Sequence, residues 1–300
     1  MNRTWIARAL GLGLLFLSSP GLAAEATGGG WDAVDRIFGN AGKDQPGNVH
    51  KFSWPRSDLE VSVGSVRVEP ALALGSWGAF RRMDGGEGHV MGDLALLGAE
   101  VAPVIRALEK GGFEILAIHN HLIGESPRVM YVHFHGKGDV AALARTLKSA
   151  LGESATPLAP APGRSPAKLT ADEEKTFQTV QDLLGRKGSM AGRVLQLSVP
   201  RAETISDAGM EVPPSMGMAT ALNFETVGAR VAATGDFVLV ADEVGSVIRE
   251  LHAAGIEPTA LHSHMLRETP RLFFLHFWGV DTPEKIASGV KAALSKVHTK

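Results

Sequence analysis

An internal repeat constrains the fold of this chain more than any other feature of its sequence. A polar segment rich in histidine occupies residues 119–136, and a segment with the same order of residue types returns at 262–279. The similarity extends on both sides of these segments, over roughly residues 31–151 and 177–294. Matching residues in the same order over this length indicate a duplicated domain, with one copy of the polar segment in each half.

Each repeat has the pattern of a domain that mixes helices and strands. In the first repeat, alternating apolar residues such as Val61 and Val63 predict a strand, whereas Val101 and Val104 share one face of a predicted helix. The order in both halves is helix, several strands, helix, strand, hairpin strand and helix. We therefore predict an α+β fold made by tandem duplication of one domain, in which each half is a mostly antiparallel sheet with helices packed on one face.

The domain boundaries follow from changes in composition along the chain. Residues 1–24 form a predicted signal peptide, residues 31–151 the first repeat domain and residues 170–297 the second repeat domain. Between the two repeats, residues 152–169 are rich in proline and alanine, which is typical of a stiff linker. Domains of this size are each large enough to bury a core of their own.

The N-terminal segment has the features of a secretory signal peptide. Arg3 and Arg8 flank the start of a short apolar run at residues 9–17, and the small residues Ala23 and Ala24 offer a cleavage site. The apolar run is too short to span a bilayer. We therefore expect a periplasmic or secreted protein with no stable membrane insertion after signal cleavage.

Composition narrows the classes of partner and of chemistry. The formal net charge is −2 and 21% of the residues are charged. The chain therefore lacks the excess of basic residues that would indicate a nucleic-acid partner. The chain contains no cysteine, which excludes disulfides, a thiolate nucleophile and thiolate metal ligands. The expected partner is a small molecule or a metal ion, and the composition leaves the oligomeric state open.

In each repeat the polar segment has the pattern of a β-hairpin. His119 and His121 are two residues apart, as are His133 and His135, so each pair projects from one face of a strand. The register between the strands decides whether the two pairs meet. A turn centred on residue 126 or 127 places both pairs on one face. A turn centred between residues 125 and 126 places them on opposite faces. The recurrence of a histidine at position 276 favours the convergent register.

Imidazole nitrogens grouped with a carboxylate are a common ligand set for divalent metals. Seven of the eleven histidines lie in the two hairpins, and neutral imidazole suits zinc and copper. We therefore predict a divalent metal cofactor, zinc first and copper second, with a site in each half. The predicted metal ligands are His119, His121, His133, His135, His262, His264 and His276.

Two further residue types in the hairpins have predicted roles. Glu125 and Glu268 lie in or beside the turns, where a carboxylate can complete the ligand set or act as a general base, and they are the predicted catalytic residues. Arg128 and Arg271 are predicted to bind an anionic group of a substrate. The residues leave open whether the protein catalyses a metal-assisted hydrolysis or only binds the metal. If only one half is active, the first is favoured because it has one more histidine.

Three other interpretations need no metal-dependent reaction. The histidines and the Glu–Arg pairs can be purely structural, or the protein can be a non-catalytic binding module of the cell envelope. The third is a metal-independent phosphoesterase, in which one histidine acts as base and another as acid. Ser263 argues against this third plan, because it alternates to the strand face opposite His262 and His264. The His-x-His-x3-Glu spacing is also similar to a cupin metal motif, but the predicted long helices argue against a cupin fold.

Three short motifs in the second polar segment are similar to a known family pattern. They are His262-Ser263-His264-Met265, Glu268-Thr269-Pro270-Arg271 and His276-Phe277-Trp278-Gly279. In this respect the chain resembles the LppY/LpqO family of exported bacterial proteins, some of them lipoproteins, and the resemblance covers both halves. It departs from the family at Ser263 and at His135. Because no cysteine lies near the predicted cleavage site, the chain resembles the secreted members and not the lipid-anchored ones. The family carries a domain of unknown function, so the resemblance implies no established activity.

Overall fold

A computed structural model of the protein describes Met1 and residues 30–83, 87–159 and 168–300. The predicted signal peptide lies outside the described residues apart from Met1, and so do residues 160–167 of the predicted linker. Within the described ranges, no helix is both long and apolar enough to cross a membrane.

The first repeat follows the predicted alternation of helices and strands. Its last helix begins at Asp139, whose carboxylate accepts a hydrogen bond from the backbone N–H of Ala142 at 2.8 Å and so caps the helix. The elements of this repeat are α1 (Asp32–Phe38), β1 (Lys43–Gln45), β2 (Val49–Pro55), β3 (Ser62–Val63), β4 (Val66–Arg67), α2 (Pro70–Ala73), β5 (Gly75–Arg82), β6 (Gly88–Leu97), α3 (Gly98–Lys110), β7 (Glu114–His119), β8 (Glu125–Ser126), β9 (Val129–Gly138) and α4 (Val140–Leu151).

The second repeat has the same order of elements, with a short 3-10 helix at Pro214–Met216 in place of α2. Its first helix begins after Thr170, where the side chains of Thr170 and Glu173 form a capping box. The elements are α5 (Ala171–Leu184), β10 (Ser189–Ala191), β11 (Val194–Pro200), β12 (Ser206–Asp207), β13 (Met210–Glu211), β14 (Ala219–Val227), β15 (Arg230–Leu239), α6 (Ala241–Ala253), β16 (Glu257–His262), β17 (Glu268–Thr269), β18 (Phe273–Asp281) and α7 (Pro283–Leu294).

Each repeat has one six-stranded antiparallel sheet, and the two sheets have equivalent strand orders. The orders are β1-β2-β5-β6-β9-β7 and β10-β11-β14-β15-β18-β16. The hairpin strands β7 and β16 are therefore edge strands, each paired with the longer strand that returns from the polar segment. The predicted α+β duplication with mostly antiparallel sheets is confirmed.

Alternation along the strands gives each sheet two different faces. In β6, Val90 and Leu94 belong to the apolar core that includes α3 and α4 residues, so this face is covered by helices. Met91 points the other way, into a second core that contains Met216 and Phe274 of the other repeat. The layers are thus helix, sheet, sheet and helix, and the two sheets meet through the faces that carry no helices.

The hairpin register brings the predicted histidines to the face between the two sheets. His119 pairs with Tyr131 and Ala117 pairs with His133, which centres the turn on Glu125. Cross-strand partners share a face, so His119 and His133 project together. The convergent register is confirmed, with its centre one residue earlier than predicted. The pairing of Ala260 with His276 in the second repeat is equivalent.

A buried arginine ties the strands of each repeat to the helix that follows the central strand. Arg56 is fully buried and donates hydrogen bonds to Glu100 at 2.7 Å and to Asp58 at 2.8 Å. Its equivalent, Arg201, donates hydrogen bonds to Glu243 at 2.6 Å and to Glu203, which lies two residues after Arg201. Each guanidinium is therefore neutralised by two carboxylates where little water reaches it.

Candidate metal centre

The histidines of both repeats meet at one place between the sheets. Three pairs of rings are stacked across the repeat boundary, with one member from each half. Their ring centroids are 3.6 Å apart for His119 and His262, 3.8 Å for His121 and His276, and 3.7 Å for His133 and His264. The two histidine sets that the sequence places in separate halves therefore meet in one histidine centre, defined here as these six residues.

Each repeat contributes its histidines from the same three positions. His119 is the last residue of β7, His133 lies within β9, and His121 follows in the loop. The loop is held to the second repeat, because the side chain of Asn120 donates to the carbonyl oxygen of Thr259 at 3.1 Å and the Thr259 hydroxyl donates to the carbonyl oxygen of His121 at 2.5 Å. These bonds cross the repeat boundary and fix the position of His121.

An aromatic ring lies against the loop histidine in each repeat. His121 stacks on Tyr131 with 3.3 Å between ring centroids, and His264 stacks on Phe274 with 3.6 Å. Tyr131 is buried and its hydroxyl donates a hydrogen bond to the carbonyl oxygen of Ala73 at 2.8 Å. The rings restrict both loop histidines without using any of their nitrogen atoms.

Two aspartates that the sequence reasoning did not select lie beside the histidines. Asp93 Oδ2 is 3.5 Å from His121 Nε2 and 3.6 Å from His133 Nε2. Asp236 is equivalent, with Oδ2 3.6 Å from His264 Nε2. A signal was present in the sequence, because a Gly-Asp pair occurs at the same place in both repeats. Sequence spacing alone could not connect it with the hairpin, which lies on a neighbouring strand.

The proton positions leave nitrogen lone pairs directed into the centre. His119 Nδ1 is 3.0 Å from the carbonyl oxygen of Asn120, and His276 Nδ1 is 2.9 Å from that of Gly235. A carbonyl oxygen only accepts, so both Nδ1 atoms carry the proton and both Nε2 atoms are unprotonated. Among the described residues, the Nε2 atoms of all six histidines are buried without a hydrogen-bond partner, namely those of His119, His121, His133, His262, His264 and His276.

Burial keeps the histidines neutral. Desolvation lowers the pKa of His119 to about 4 and that of His262 to about 3. For the other four, burial is again the largest cause of a strongly lowered pKa, and the neighbouring histidines lower it further. Neutral imidazole is the form that binds metal ions.

Burial acts on the two carboxyl groups in the opposite direction. It raises the pKa of Asp93 to about 8, against the opposing charge of Lys51. It raises the pKa of Asp236 well above the ordinary value, and the nearby charge of Asp93 adds to the rise. A bound cation would favour the ionised form of both groups, because an opposite charge within a few ångströms stabilises a carboxylate.

The structure does not bring His135 to the histidine centre. Its Nε2 is 2.9 Å from His89 Nδ1, and the two rings are stacked at 5.1 Å between centroids. His135 shares its strand face with His133 but lies two residues further along β9, opposite Met91 of β6, and its ring reaches His89, which pairs with the backbone of Lys137. Of the seven predicted ligands, six therefore lie in the histidine centre, and His135 forms a separate pair with His89.

Glu125 and Glu268 are buried at the starts of the short strands β8 and β17, where they accept hydrogen bonds from nearby residues of the polar segments. Glu268 Oε1 accepts a hydrogen bond from the N–H of Leu272 at 3.1 Å and another from the Ser263 hydroxyl at 3.3 Å. Glu125 accepts from the N–H of Val129 at 3.4 Å. These hydrogen bonds stabilise the conformation of the two hairpin loops. A general-base role for either carboxylate stays a prediction.

Arg128 and Arg271 lie beside these glutamates with exposed side chains. Arg271 Nη1 is 3.2 Å from Glu268 Oε2, and Arg128 Nε is 3.9 Å from Glu125 Oε1. Their guanidinium groups are open to solvent, with side-chain exposures of 71% for Arg128 and 53% for Arg271. Binding of an anionic substrate group by these arginines stays a prediction.

A small cavity adjoins the centre on the side of His133 and His264. It has a volume of about 10 Å³, which is enough for about one water molecule. Its walls include Met91, Met216 and Met218, all buried in the core between the sheets. The thioethers give this side of the centre a soft, apolar wall.

The donor atoms are grouped closely enough to hold a metal ion. The ligand nitrogens of His119, His121 and His133 lie within 4.8 Å of one another. Those of His262, His264 and His276 form a similar group, which also includes His119. Buried, neutral and unpartnered nitrogens beside a carboxylate match the donor set of zinc and copper sites.

The model of one protein family matches both repeats, at residues 32–153 and 178–296. That family is described as Domain of Unknown Function (DUF1259). The chain belongs to this family. The matched ranges confirm the duplication. No curated protein matches the DUF1259 chain.

Solved structures offer only distant similarity to this DUF1259 protein. A trimeric bacterial microcompartment shell protein, PduB, is 12% identical over 86% of this chain and 90% of its own, with a TM-score of 0.22. EtuB from Clostridium kluyveri is 11% identical over 85% of this chain and 90% of its own, with a TM-score of 0.20. Similarity at these scores carries no argument about fold or function.

Proposed function

We propose that this protein binds divalent transition-metal ions at the histidine centre between its repeats, zinc first and copper second. The observation that carries the proposal is the set of six buried Nε2 atoms without a hydrogen-bond partner. Burying an unpaired polar atom costs roughly 1–3 kcal/mol, so six in one place are costly unless a ligand satisfies them. We also propose export to the periplasm or beyond, on the basis of the N-terminal pattern at residues 1–24.

The protonation of the centre favours metal binding over the metal-independent phosphoesterase plan. That plan needs one histidine that donates a proton, whereas burial lowers the pKa of all six histidines, to about 4 for His119. A bound zinc ion would supply Lewis acidity and an activated water, so a metal-assisted hydrolysis is the enzymatic form of this proposal. A non-catalytic metal-binding module is its other form.

Metal analysis of the purified mature protein tests the proposal. We expect metal to co-purify with the wild-type chain and to be lost when His119, His121, His262 and His264 are all replaced by alanine. The variant His252→Ala is the control, because His252 is an exposed side chain on α6 outside the centre. Hydrolysis of model esters and phosphodiesters, measured before and after chelation, separates the enzymatic form from the binding module.

Two results would contradict the proposal. One is a wild-type protein that takes up neither zinc nor copper after dialysis against either ion. The other is metal that remains bound in the fourfold variant at the wild-type amount. Circular dichroism of each protein shows whether the fold is retained.

A further inference from the structure

We infer that the centre holds two metal ions side by side, one in the ligand set of each repeat. The inference rests on the proposed metal-binding function and adds its stoichiometry and ligand assignment. The first set consists of His119, His121, His133 and Asp93, and the second set of His262, His264, His276 and Asp236.

The spacing of the rings separates the two sets. Two imidazoles bound to one tetrahedral ion have ring centroids roughly 5 Å apart, given metal–nitrogen bonds of about 2.1 Å. Within the first set, the centroid of His119 is 5.1 Å from that of His121 and 5.0 Å from that of His133. Within the second set, His262 is 4.7 Å from His264 and 5.0 Å from His276. In both sets the histidine at the strand end, His119 or His262, therefore has the spacing of a co-ligand to its two partners, while His264 and His276 are 6.4 Å apart.

Three pairs of rings that cross the repeat boundary are too close together to share an ion in this way. Their centroids are 3.6–3.8 Å apart, which is the distance of stacked rings. Stacked rings direct their nitrogens side by side and not toward a common point. The stacked pairs thus place the two sets in contact. His119, whose centroid is 5.6 Å from that of His264 and 5.5 Å from that of His276, also lies within reach of the second set.

The aspartates complete each set at the distance expected of a fourth ligand. Two ligand atoms on one tetrahedral ion lie about 3.4 Å apart when each bond is about 2.1 Å. Asp93 Oδ2 is 3.5 Å from His121 Nε2 and 3.6 Å from His133 Nε2. Asp236 Oδ2 is 3.6 Å from His264 Nε2, and its other oxygen, Oδ1, is 3.9 Å from His276 Nε2. These separations are longer than good hydrogen bonds and agree with ligands around an ion.

The number of donors also exceeds the needs of one ion. Six imidazoles and two carboxylates converge on the centre, whereas zinc in proteins takes four ligands in most sites. Two ions would use all eight groups, with four for each ion. Protein sites with two metals place them about 3.5–4 Å apart, a separation that adjoining ligand sets allow.

Metal stoichiometry tests this inference on the whole chain. Wild-type protein loaded with zinc should bind about two ions per chain, and each paired variant should bind about one. The first variant, His121→Ala/His133→Ala, removes two ligands of the first set, and His264→Ala/His276→Ala removes two of the second. The control His89→Ala/His135→Ala removes a histidine pair from the same sheet outside the centre and should keep about two ions.

Copper(II) electron paramagnetic resonance provides a second readout. Two adjacent copper(II) ions interact magnetically, so the fully loaded wild type should give a broadened or weakened signal. Each paired variant should give the sharp signal of an isolated ion. Asp93→Asn and Asp236→Asn keep the side-chain volume and should each weaken one ion selectively, which covers the case in which an alanine variant fails to fold.

The outcomes separate this inference from the proposed function. About one ion per wild-type chain, lost in both paired variants, would overturn the pair of ions and leave metal binding intact. No bound metal in the wild type would overturn both. Stepwise loss of one ion in each variant, with an isolated copper signal, is the result that the structure predicts.

Discussion

The two repeats differ in many residues but agree at the centre between them. Both supply three histidines, an aspartate preceded by a glycine, and a buried arginine paired with two carboxylates. They differ at His135, where the second repeat has Trp278, and this position lies outside the centre. The residues that the two repeats share thus include those around the histidine centre and the buried arginines.

A second difference concerns the surroundings of the two aspartates. Lys51 is a half-buried lysine whose ammonium lies 4.0 Å from the centre of the Trp77 ring, and its charge opposes the rise in the pKa of Asp93. The equivalent residue in the second repeat is Gln196, which carries no charge and donates a hydrogen bond to the backbone of Ala71. The two ligand sets therefore have equivalent donors in unequal electrostatic surroundings.

Acid should produce the largest effect, because it acts on all six histidines at once. In the unfolded chain a histidine binds a proton near pH 6.5, whereas burial lowers the pKa of His119 to about 4 and that of His262 to about 3. The unfolded state then binds more protons between these values, so the stability of metal-free protein falls as the pH decreases from 6.5 through 4. Asp93, with a pKa raised to about 8, acts in the opposite direction but involves fewer groups.

Thermal unfolding of chelated protein across this pH range measures the effect. We expect the melting temperature to be highest near neutral pH and to fall steeply toward pH 4, and the fourfold alanine variant at positions 119, 121, 262 and 264 to show a shallower fall. Equal slopes for the two proteins would show that the buried histidines do not control acid unfolding.

Removal of either buried arginine should be the next largest effect and should be similar in both repeats. Arg56→Met leaves Glu100 and Asp58 without their partner, and breaking a buried ion pair in this way costs about 3–5 kcal/mol. Arg201→Met should cost a similar amount, as measured by urea unfolding. Arg67→Met is the control, since this exposed pair with Glu60 contributes less than about 1 kcal/mol. A large cost in only one repeat would break the equivalence.

The glycine before each aspartate should tolerate no side chain. A Cβ at Gly92 would overlap the carbonyl oxygen of Trp77 and the ring of Phe134, and one at Gly235 would overlap the carbonyl oxygen of Ala221. Gly92→Ala and Gly235→Ala should each cost about 1–3 kcal/mol in urea unfolding and weaken metal binding in their own set.

The matched control for these glycines is Gly98→Ala at the start of α3, where a Cβ meets nothing within 4 Å. It should leave stability and metal content near the wild-type values. If Gly92→Ala or Gly235→Ala behaved like this control, close packing at the aspartate strands would not be required.

The smallest effect should come from exchange of the residue that differs between the repeats. His135→Trp gives the first repeat the residue of the second, and we expect unchanged metal content because His135 pairs with His89 outside the centre. Metal analysis beside the wild type measures this. Loss of an ion in His135→Trp would return His135 to the ligand set.

Much of the fold and part of the centre could be predicted from the sequence. The period of the apolar residues predicts the helices and strands, and the repeat predicts two equivalent halves, because both signals are local. His119 and His133 were selected correctly as neighbours, since strand alternation and a convergent register place them on one face. The metal itself, the export and the resemblance to LppY/LpqO proteins stay predictions.

Asp93 and the separation of His135 depended on contacts between strands that are distant in sequence. Asp93 reaches the hairpin only because β6 pairs with β9, where it lies opposite His133. The same pairing places His89 opposite Lys137, two residues from His135, and the two histidine side chains then meet. Nothing in the spacing within the hairpin encodes which residue of β6 lies beside which histidine. The residue types of the centre can be read from the sequence, whereas their spatial neighbours cannot.

The sequence by itself determined that the chain is a duplicated α+β domain and that each half carries the same histidines. The tertiary structure alone decided that the two sets form one centre. Helices of the same repeat cover one face of each sheet. The other face contains Asp93 or Asp236 and packs against the sheet of the other repeat. Because burial of these two apolar faces against each other drives the halves together, the histidines on them become neighbours.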